Sequence, residues 1–252
     1  MLGFNGGLLG KERRLTSGRL AATGIWLPNE QSVAKRVNNW PFGPTEVPNI
    51  GDAFLGGFFA GYISHTANGV ATHALIVAPR ATGASGTGYT LTTNYTWNDG
   101  VATAGTLSTF DGRANTDAMI TAGIATHPAA KFCVDLTIGG YTDWYLPARY
   151  ELAIAYFNLK PTTASNTTSS GINAYSVPAR ASNYTTGTPP VTSVAAFVKS
   201  TGAEHYMDTD HWTSSRVGST TASRISLSDG SENTSTTFPT SMRVRAFRRV
   251  PV

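Results

Sequence analysis

The chain has 252 residues, of which 13% are charged, and its 19 Lys and Arg against 15 Asp and Glu give a formal net charge of +4. Soluble domains usually carry about 25% charged residues. The composition therefore disfavours an enzyme with many titratable groups and favours a surface protein rich in hydroxyls and amides. The length suits one large domain, or one domain with an appendage.

The basic residues are concentrated at the two ends of the sequence, which disfavours a continuous nucleic-acid-binding face. Four of them lie within residues 11–19 and four within residues 243–249. In the second group, Arg243 and Arg245 alternate with small or apolar residues, which predicts a strand with its arginines on a solvated face. No nucleic-acid partner is predicted.

Residues 1–50 differ from the rest in the pattern of their residues. Glycines separate widely spaced apolar residues, which cannot bury one another well. They predict an irregular N-terminal arm, either packed on its own domain or ordered against another protein. A proline- and glycine-rich stretch at 41–48 marks a boundary, so we expect the main domain to cover 51–252. The residues assigned to docking are Phe4, Leu8, Leu9, Arg13, Arg14, Trp26 and Trp40.

The main domain reads as a mixture of short strands, helices and long loops. Helices are predicted after Thr116 and after Pro128, and a Thr-, Ser-, Asn- and Pro-rich segment at 161–193 has no predicted regular structure. Asp229 and Gly230 predict a turn between two strands. The segments predicted as strands are 53–63, 74–78, 89–92, 193–198, 224–227 and 242–250.

Cys133 is the single cysteine and lies on the apolar face of the second predicted helix, so we expect a buried thiol and no intrachain disulfide. The lack of disulfides indicates assembly in a reducing cytoplasm. The five histidines lack metal-ligand spacing. Neither a metal nor a cofactor is predicted, and neither a signal peptide nor a membrane span.

Residues 139–152 are the most informative stretch, in which a glycine turn leads into a Trp/Tyr/Leu cluster and a proline. Pro147 suits the first position of a helix, because its missing N–H has no partner there. A helix buried on one side is then predicted by the spacing of its apolar residues. These are Leu152, Ala155, Tyr156 and Leu159.

The same stretch resembles the hallmark of the Lcl C-terminal-domain family, a branch of the C-type-lectin fold found in bacterial surface proteins and phage fibres. The pattern is Gly-x-x-Asp-Trp-x-Leu-Pro-x-x-x-Glu-Leu, starting at Gly140. Blocks at 110–133, 211–215 and 244–249 agree with the family in order. The resemblance assigns a framework role to Asp143, Trp144, Leu146, Pro147, Glu151 and Trp212.

The resemblance implies an α+β, C-type-lectin-like fold with two or three helices and short antiparallel strands, preceded by the irregular N-terminal arm. Trp97, Asn98 and Asp99 match the Trp-Asn-Asp triplet of calcium-dependent lectins. The triplet stands early in the chain, and no Glu-Pro-Asn or Gln-Pro-Asp partner follows it. Members of the resembled family generally lack the calcium site, so Trp97 is expected in the core and no metal is assigned.

In related fibre tips, the region that begins with the block at 211–215 presents the binding face, and here it mixes charged and polar residues. The alternative is an ordinary solvated strand and hairpin. The candidate receptor-binding residues are His211, Arg216, Arg224, Ser226, Ser228, Asp229 and Glu232.

These patterns together predict a phage virion appendage, a tail fibre or receptor-binding protein, assembled in the bacterial host cytoplasm. The start of the arm also resembles tailed-phage structural proteins, which implies docking on tail or neck proteins. The expected partner of the lectin-like domain is a host-surface glycan or protein receptor, and the expected state is a homo-oligomer such as a trimer, with no membrane insertion and no catalytic residues. The alternative is a neck, baseplate or capsid-decoration protein whose lectin-like domain contacts only other virion proteins.

Overall fold

The computed structural model of the protein describes residues 48–85, 94–100 and 102–252. Residues 48–250 form one compact unit. The seven residues predicted to dock on the virion, and the strand predicted at 89–92, lie outside the described residues.

The first sheet is antiparallel and begins with the strand pair expected at 53–63. β1 (Ala53–Phe54) turns into β2 (Gly57–Ile63), with Leu55 and Gly56 at positive φ in the turn. β3 (His73–Val77) pairs with the other edge of β2. β10 (Phe247–Pro251) follows β3 in the sheet, and the two-residue β5 (Ser176–Val177) pairs with the end of β2.

Four α-helices lie within the described residues: α1 (Arg80–Gly83), α2 (Gly112–Gly123), α3 (Pro128–Val134) and α4 (Arg149–Leu159). Helix α2 begins earlier than predicted, because the Asp111 side chain caps it by accepting the N–H of Ala114 at 2.8 Å. Helix α3 begins at Pro128 as expected. The strand predicted at 193–198 is wrong, since Ala195–Phe197 forms a turn of 3-10 helix; a second such turn is Ile124–Thr126.

The predicted apolar stripe of helix α4 is confirmed, since all of its residues are buried. The prediction that the helix is buried on one side is wrong, because Ala153 and Ile154, outside the stripe, are buried as well. The predicted start of α4 at Pro147 is wrong by two residues, because Ala148 is the N-cap. The carboxylate of Glu151 accepts the N–H of Ala148 at 2.7 Å and so satisfies a backbone donor at this helix end.

The second sheet contains β6 (Asp210–Arg216), β7 (Thr221–Ser226) and β8 (Glu232–Thr237) in antiparallel order. The predicted turn at Asp229 and Gly230 is confirmed, since it connects β7 to β8. The predicted strand at 242–250 is instead divided. Its beginning is in β9 (Ser241–Met242), which pairs with β4 (Tyr95–Thr96), and its end is in β10.

The interior of the described part of the chain contains two apolar clusters. One surrounds helix α4 between the two sheets, and the other contains Trp97, Trp144 and Trp212, which are fully buried. The core position expected for Trp97 and the burial expected for Cys133 are both confirmed. Mixed helices and antiparallel strands make this an α+β fold. In the described ranges, no helix has the length and apolar content needed to cross a bilayer.

The prediction that Arg243 and Arg245 face solvent is wrong, since they are only 3% and 2% exposed. The segment between β9 and β10 runs through the interior, where backbone carbonyl groups accept hydrogen bonds from the guanidinium groups. Arg243 donates to Ser85 O at 3.0 Å, and Arg245 donates to Ala78 O at 2.9 Å and Glu204 O at 2.7 Å. At Arg245 these hydrogen bonds compensate for the cost of burying the charged group.

Candidate functional site

Glu151, the glutamate of the motif at 140–152, is a buried hydrogen-bond acceptor that connects separate segments of the chain. Glu151 Oε2 accepts the N–H groups of Ala148 at 2.7 Å and Gly112 at 3.2 Å, and Oε1 accepts the hydroxyl of Tyr145 at 2.8 Å. Burial raises the pKa of Glu151 to about 7 even though these donors favour its charged form. The carboxylate therefore joins the starts of α2 and α4.

The other hallmark residues divide between the core and the surface. Asp143 is 44% exposed at its side chain and pairs with Arg248, whose guanidinium lies 3.7 Å from the centre of the Tyr141 ring. Four of the residues assigned to the framework are buried, as that role requires: Trp144, Leu146, Pro147 and Trp212.

Trp97 and Asn98 of the early Trp-Asn-Asp triplet use their polar side-chain atoms inside the protein, whereas Asp99 is exposed. Trp97 donates its indole N–H to Thr213 O at 2.8 Å, and Asn98 Oδ1 accepts the N–H of Gly100 at 2.8 Å. The amide nitrogen of Asn98 lies 2.8 Å from Nε2 of His127, beside a shallow cavity of about 280 Å³. Within the described ranges, no three His, Cys, Asp or Glu side chains are grouped so that they could hold a metal ion.

Three of the candidate receptor-binding residues meet at one end of the β6–β8 sheet. Strand register places Ser226 opposite Asp210 and Arg224 opposite Trp212. The guanidinium of Arg224 pairs with Asp210 on the surface, where the two side chains are 21% and 38% exposed. Asp229, in the adjoining turn, accepts the N–H of Ser231 at 3.0 Å.

Ser228, in the same turn, is half-buried. Arg216 lies at the opposite end of the β6–β7 pair, opposite Ala222. Its guanidinium donates to Thr106 Oγ1 at 3.2 Å and to Gly218 O at 3.0 Å. The candidate residues therefore form two separate surface patches.

The prediction that His211 contacts a receptor is wrong, because it is 2% exposed. Its Nδ1 lies 3.0 Å from Thr209 O, and its ring meets Tyr206 edge to face at 5.9 Å. Burial lowers the pKa of His211 to about 4. The histidine is therefore a neutral packing residue.

Glu232 has only 5% of its side chain exposed, because it pairs with Arg149 at the start of α4. Its backbone N–H also donates to Ser170 Oγ at 3.2 Å, which holds the loop after α4. Glu232 thus links β8 to α4 and offers a receptor little surface.

The sequence analysis missed an aromatic row made of Phe110, Tyr175 and Tyr150. The Phe110 and Tyr175 rings stack with centres 4.3 Å apart, and the Tyr175 and Tyr150 rings stack at 5.4 Å. Phe110 and Tyr150 stand in two of the resemblance blocks, which could have drawn attention to them. Tyr175 carried no such signal, because it lies in a segment without regular structure.

A charged cluster adjoins the Phe110 end of the aromatic row. The His65 ring meets Phe110 edge to face at 5.3 Å and lies 4.4 Å from the ring of His73. Arg249 Nη1 lies 3.1 Å from His65 Nε2 and 2.7 Å from Asp111 Oδ1. Burial and the nearby arginine lower the pKa of both histidines, that of His73 to about 4.

Comparison with known proteins finds no matching protein-family model and no matching curated protein. One solved structure that the chain resembles is a fimbrial protein from Bacteroides ovatus ATCC 8483, at 14% identity and a TM-score of 0.38. The match covers 86% of this chain and 41% of that one, so the chain spans less than half of that protein. A likeness of this size carries no argument about fold or function.

Proposed function

We propose that the chain is a phage virion appendage, a tail fibre or receptor-binding protein, that attaches the virion to a host-surface receptor. The lectin-like domain would be residues 51–252 with a C-type-lectin-like fold, and residues 1–50 would dock on the tail or neck. Support comes from the four motif blocks in family order and from the internal positions of Trp144, Glu151 and Trp212. No catalytic step is part of this proposal.

The observation that carries attachment is the open end of the β6–β8 sheet. There a partly exposed ion pair joins Arg224 to Asp210, and Ser226 lies directly opposite Asp210 in the strand register. Exposed ion pairs contribute little to folding stability, on the order of 0–1 kcal/mol. Their donors and acceptors are therefore free to exchange partners with a ligand at small cost, as recognition at a polar surface requires.

A structural role in the virion is the second candidate, and a different observation favours it. Leu107 is 57% exposed and Val217 is 49% exposed. A backbone hydrogen bond of 2.7 Å from Arg216 N–H to Thr106 O brings their chain segments together. Exposed apolar residues beside an arginine are typical of protein–protein interfaces.

The test compares binding of the full-length protein and two double variants to intact cells of a broad bacterial panel. The surface variant is R224A/D229A. The control variant, R113A/D117A, leaves the net charge unchanged in the same way but removes an exposed pair of α2. Attachment through the proposed surface predicts saturable binding that weakens by about tenfold or more only in the surface variant, a loss of about 1.4 kcal/mol.

Binding that is equal for all three proteins would retain host attachment but remove the β6–β8 surface as its site. The absence of binding to any host would instead favour the virion-assembly role. In that case L107S/V217S virions should assemble poorly, while cell attachment would not be the step that fails.

A further inference from the structure

The aromatic row is built from three distant parts of the chain and is fixed in place before any ligand binds. Tyr150 donates its backbone N–H to Thr109 O at 2.8 Å, beside Phe110. Asn173 donates its amide to Tyr150 O at 3.1 Å and accepts the N–H of Tyr175 at 3.0 Å. A single asparagine thus holds two of the three rings, which lowers the entropic cost of binding.

The two ends of the row are closed, so its rings meet solvent along their edges. The Arg149 guanidinium lies 5.2 Å from the centre of the Tyr150 ring, and His65 covers the Phe110 end. All three rings are half-buried. Ring edges carry partial positive charge, and the row therefore presents a strip that attracts oxygen lone pairs.

The phenol groups of the row are available to a ligand. In the described part of the chain, the hydroxyls of Tyr150 and Tyr175 have no hydrogen-bond partner. Each hydroxyl can donate one hydrogen bond and accept two. Rigid tyrosines that combine an apolar ring with a hydroxyl are suited to polar recognition.

The charged groups around the row are already paired within the protein. Arg149 pairs with Glu232, and Arg249 pairs with Asp111. A charged ligand would have to replace one of these partners. An uncharged ligand rich in oxygen would leave both pairs intact.

We propose that the aromatic row is a binding site for a neutral polysaccharide of the bacterial cell surface. Its hydroxyl and ring oxygens match the ring edges and phenols, and its lack of charge matches the paired surroundings. A proline-rich peptide fits less well, because such peptides need grooves between aromatic side chains and the Phe110 and Tyr175 rings are in direct contact. The inference rests on the proposed function only for the cellular source of the polysaccharide.

The experiment measures binding of the full-length protein to an array of isolated bacterial polysaccharides, neutral and acidic, at low and high NaCl. We expect binding to at least one neutral polysaccharide, with an affinity that salt does not change. The affinity of the Y150A/Y175A variant for that polysaccharide should be lower by about tenfold or more. Y150F/Y175F keeps the rings and removes only the hydroxyls, and should lose about three- to tenfold, as expected for one or two lost hydrogen bonds.

The control is Y95F/Y141F, which removes two hydroxyls from half-buried tyrosines outside the row and should bind as wild type. Full binding by the folded Y150F/Y175F variant would overturn the site, even if Y150A/Y175A unfolds. Binding limited to acidic polysaccharides and abolished by salt, or to proline-rich peptides included as probes, would overturn the ligand class. Absence of binding to any polysaccharide would overturn both.

The outcome also separates this inference from host attachment. Cell binding without polysaccharide binding would leave attachment standing and remove the aromatic row. Polysaccharide binding without cell binding would leave the aromatic row standing as a binding site and remove host attachment.

Discussion

Arg249 donates a hydrogen bond to Nε2 of His65 over 3.1 Å, and this contact fixes the protonation state of the imidazole. An arginine side chain has only donors, so Nε2 must carry a lone pair and the proton must lie on Nδ1. That nitrogen faces Asp111 Oδ2 at 3.7 Å. The folded protein therefore selects neutral His65, and the His73 ring lies beside it, where the charge of Arg249 acts on both rings.

Acid should destabilise the fold through this histidine pair. Their pKa values are lowered in the folded state, that of His73 from 6.5 to about 4, so the unfolded chain binds protons first. Their contribution to stability is then complete above pH ~6.5 and is lost as the pH falls toward 4. Because the groups are half-exposed and screened, we expect about 1 kcal/mol from His73.

The measurement is urea unfolding of wild type and H73F at a series of pH values from neutral to 4. H73F keeps an aromatic ring against His65 but cannot titrate. Its unfolding free energy should fall less steeply with acid than that of wild type. Parallel curves for the two proteins would contradict the assignment.

Two replacements of Glu151 should change the free energy of unfolding in opposite directions. The sign depends on whether the new side chain keeps the shape of the carboxyl group. The folded-state pKa is raised to about 7, so the neutral carboxyl contributes stability below pH ~4.5 that is lost as the pH rises through 7. E151Q keeps the shape without the charge and should gain stability relative to wild type between pH 5 and 8. E151A leaves the N–H groups of Ala148 and Gly112 and the hydroxyl of Tyr145 without their acceptor. It should lower the free energy of unfolding by about 3 kcal/mol.

Thermal unfolding of the three Glu151 proteins across that pH range gives the comparison. A difference between E151Q and wild type that does not depend on pH would show that the carboxylate is not the titrating group. If E151A were as stable as wild type, its bonds to Ala148, Gly112 and Tyr145 would not hold the helix starts together.

Loss of the Arg245 side chain should be among the most damaging arginine substitutions. Arg245 also pairs with Glu204 at 3.0 Å, and its guanidinium lies 4.7 Å from the Tyr206 ring centre. R245A leaves the half-buried carboxylate of Glu204 and three carbonyl groups without their donor, which should cost about 3–5 kcal/mol. R113A, at a pair with 37% and 51% exposed side chains, should change stability by less than ~0.5 kcal/mol.

Guanidinium chloride titrations of R245A and R113A, followed by tryptophan fluorescence, would separate the two cases. Equal midpoints would mean that Arg245 is hydrated rather than enclosed.

Two glycines with similar backbone angles should respond differently to alanine. Gly230 has φ +75°, and a Cβ there would lie 2.3 Å from Cε1 of Tyr156. Gly140 has φ +83° but no heavy atom within 4 Å of the added carbon. G140A should cost about 1–2 kcal/mol from backbone strain alone, and G230A should cost about 1–3 kcal/mol more from overpacking.

The comparison uses the shift in melting temperature of G230A against that of G140A, since each contains the same backbone strain. Similar shifts would mean that Tyr156 moves freely, although its hydroxyl donates a hydrogen bond to the buried Asn166.

Local pattern was sufficient for the elements whose burial repeats along a short stretch. The stripe of α4, the strand pair at 53–63, the turn at Asp229 and the burial of Cys133 were all predicted correctly. In each case the informative residues are neighbours, so spacing and turn chemistry carry the information.

Local pattern failed where a distant segment decides the outcome. The alternation at Arg243 and Arg245 predicts which residues share a face, but it does not say which face meets water. The backbone carbonyls of Ala78 and Ser85, far earlier in the chain, accept hydrogen bonds from the two guanidinium groups. These hydrogen bonds allow the arginines to lie in the interior. His211 was misplaced for the same reason, since its neighbour Tyr206 belongs to an irregular loop.

The sequence alone therefore predicted the central helix from its apolar periodicity and the turn at Asp229 from its turn chemistry. The α+β class and the buried tryptophans were expected from the family resemblance of the motif blocks. Only the tertiary structure decided which arginines are buried, which candidate residues share a surface, and that residues 110, 150 and 175 form one row. Those outcomes depend on hydrogen bonds and ring contacts between segments far apart in the chain, and no local spacing encodes such contacts.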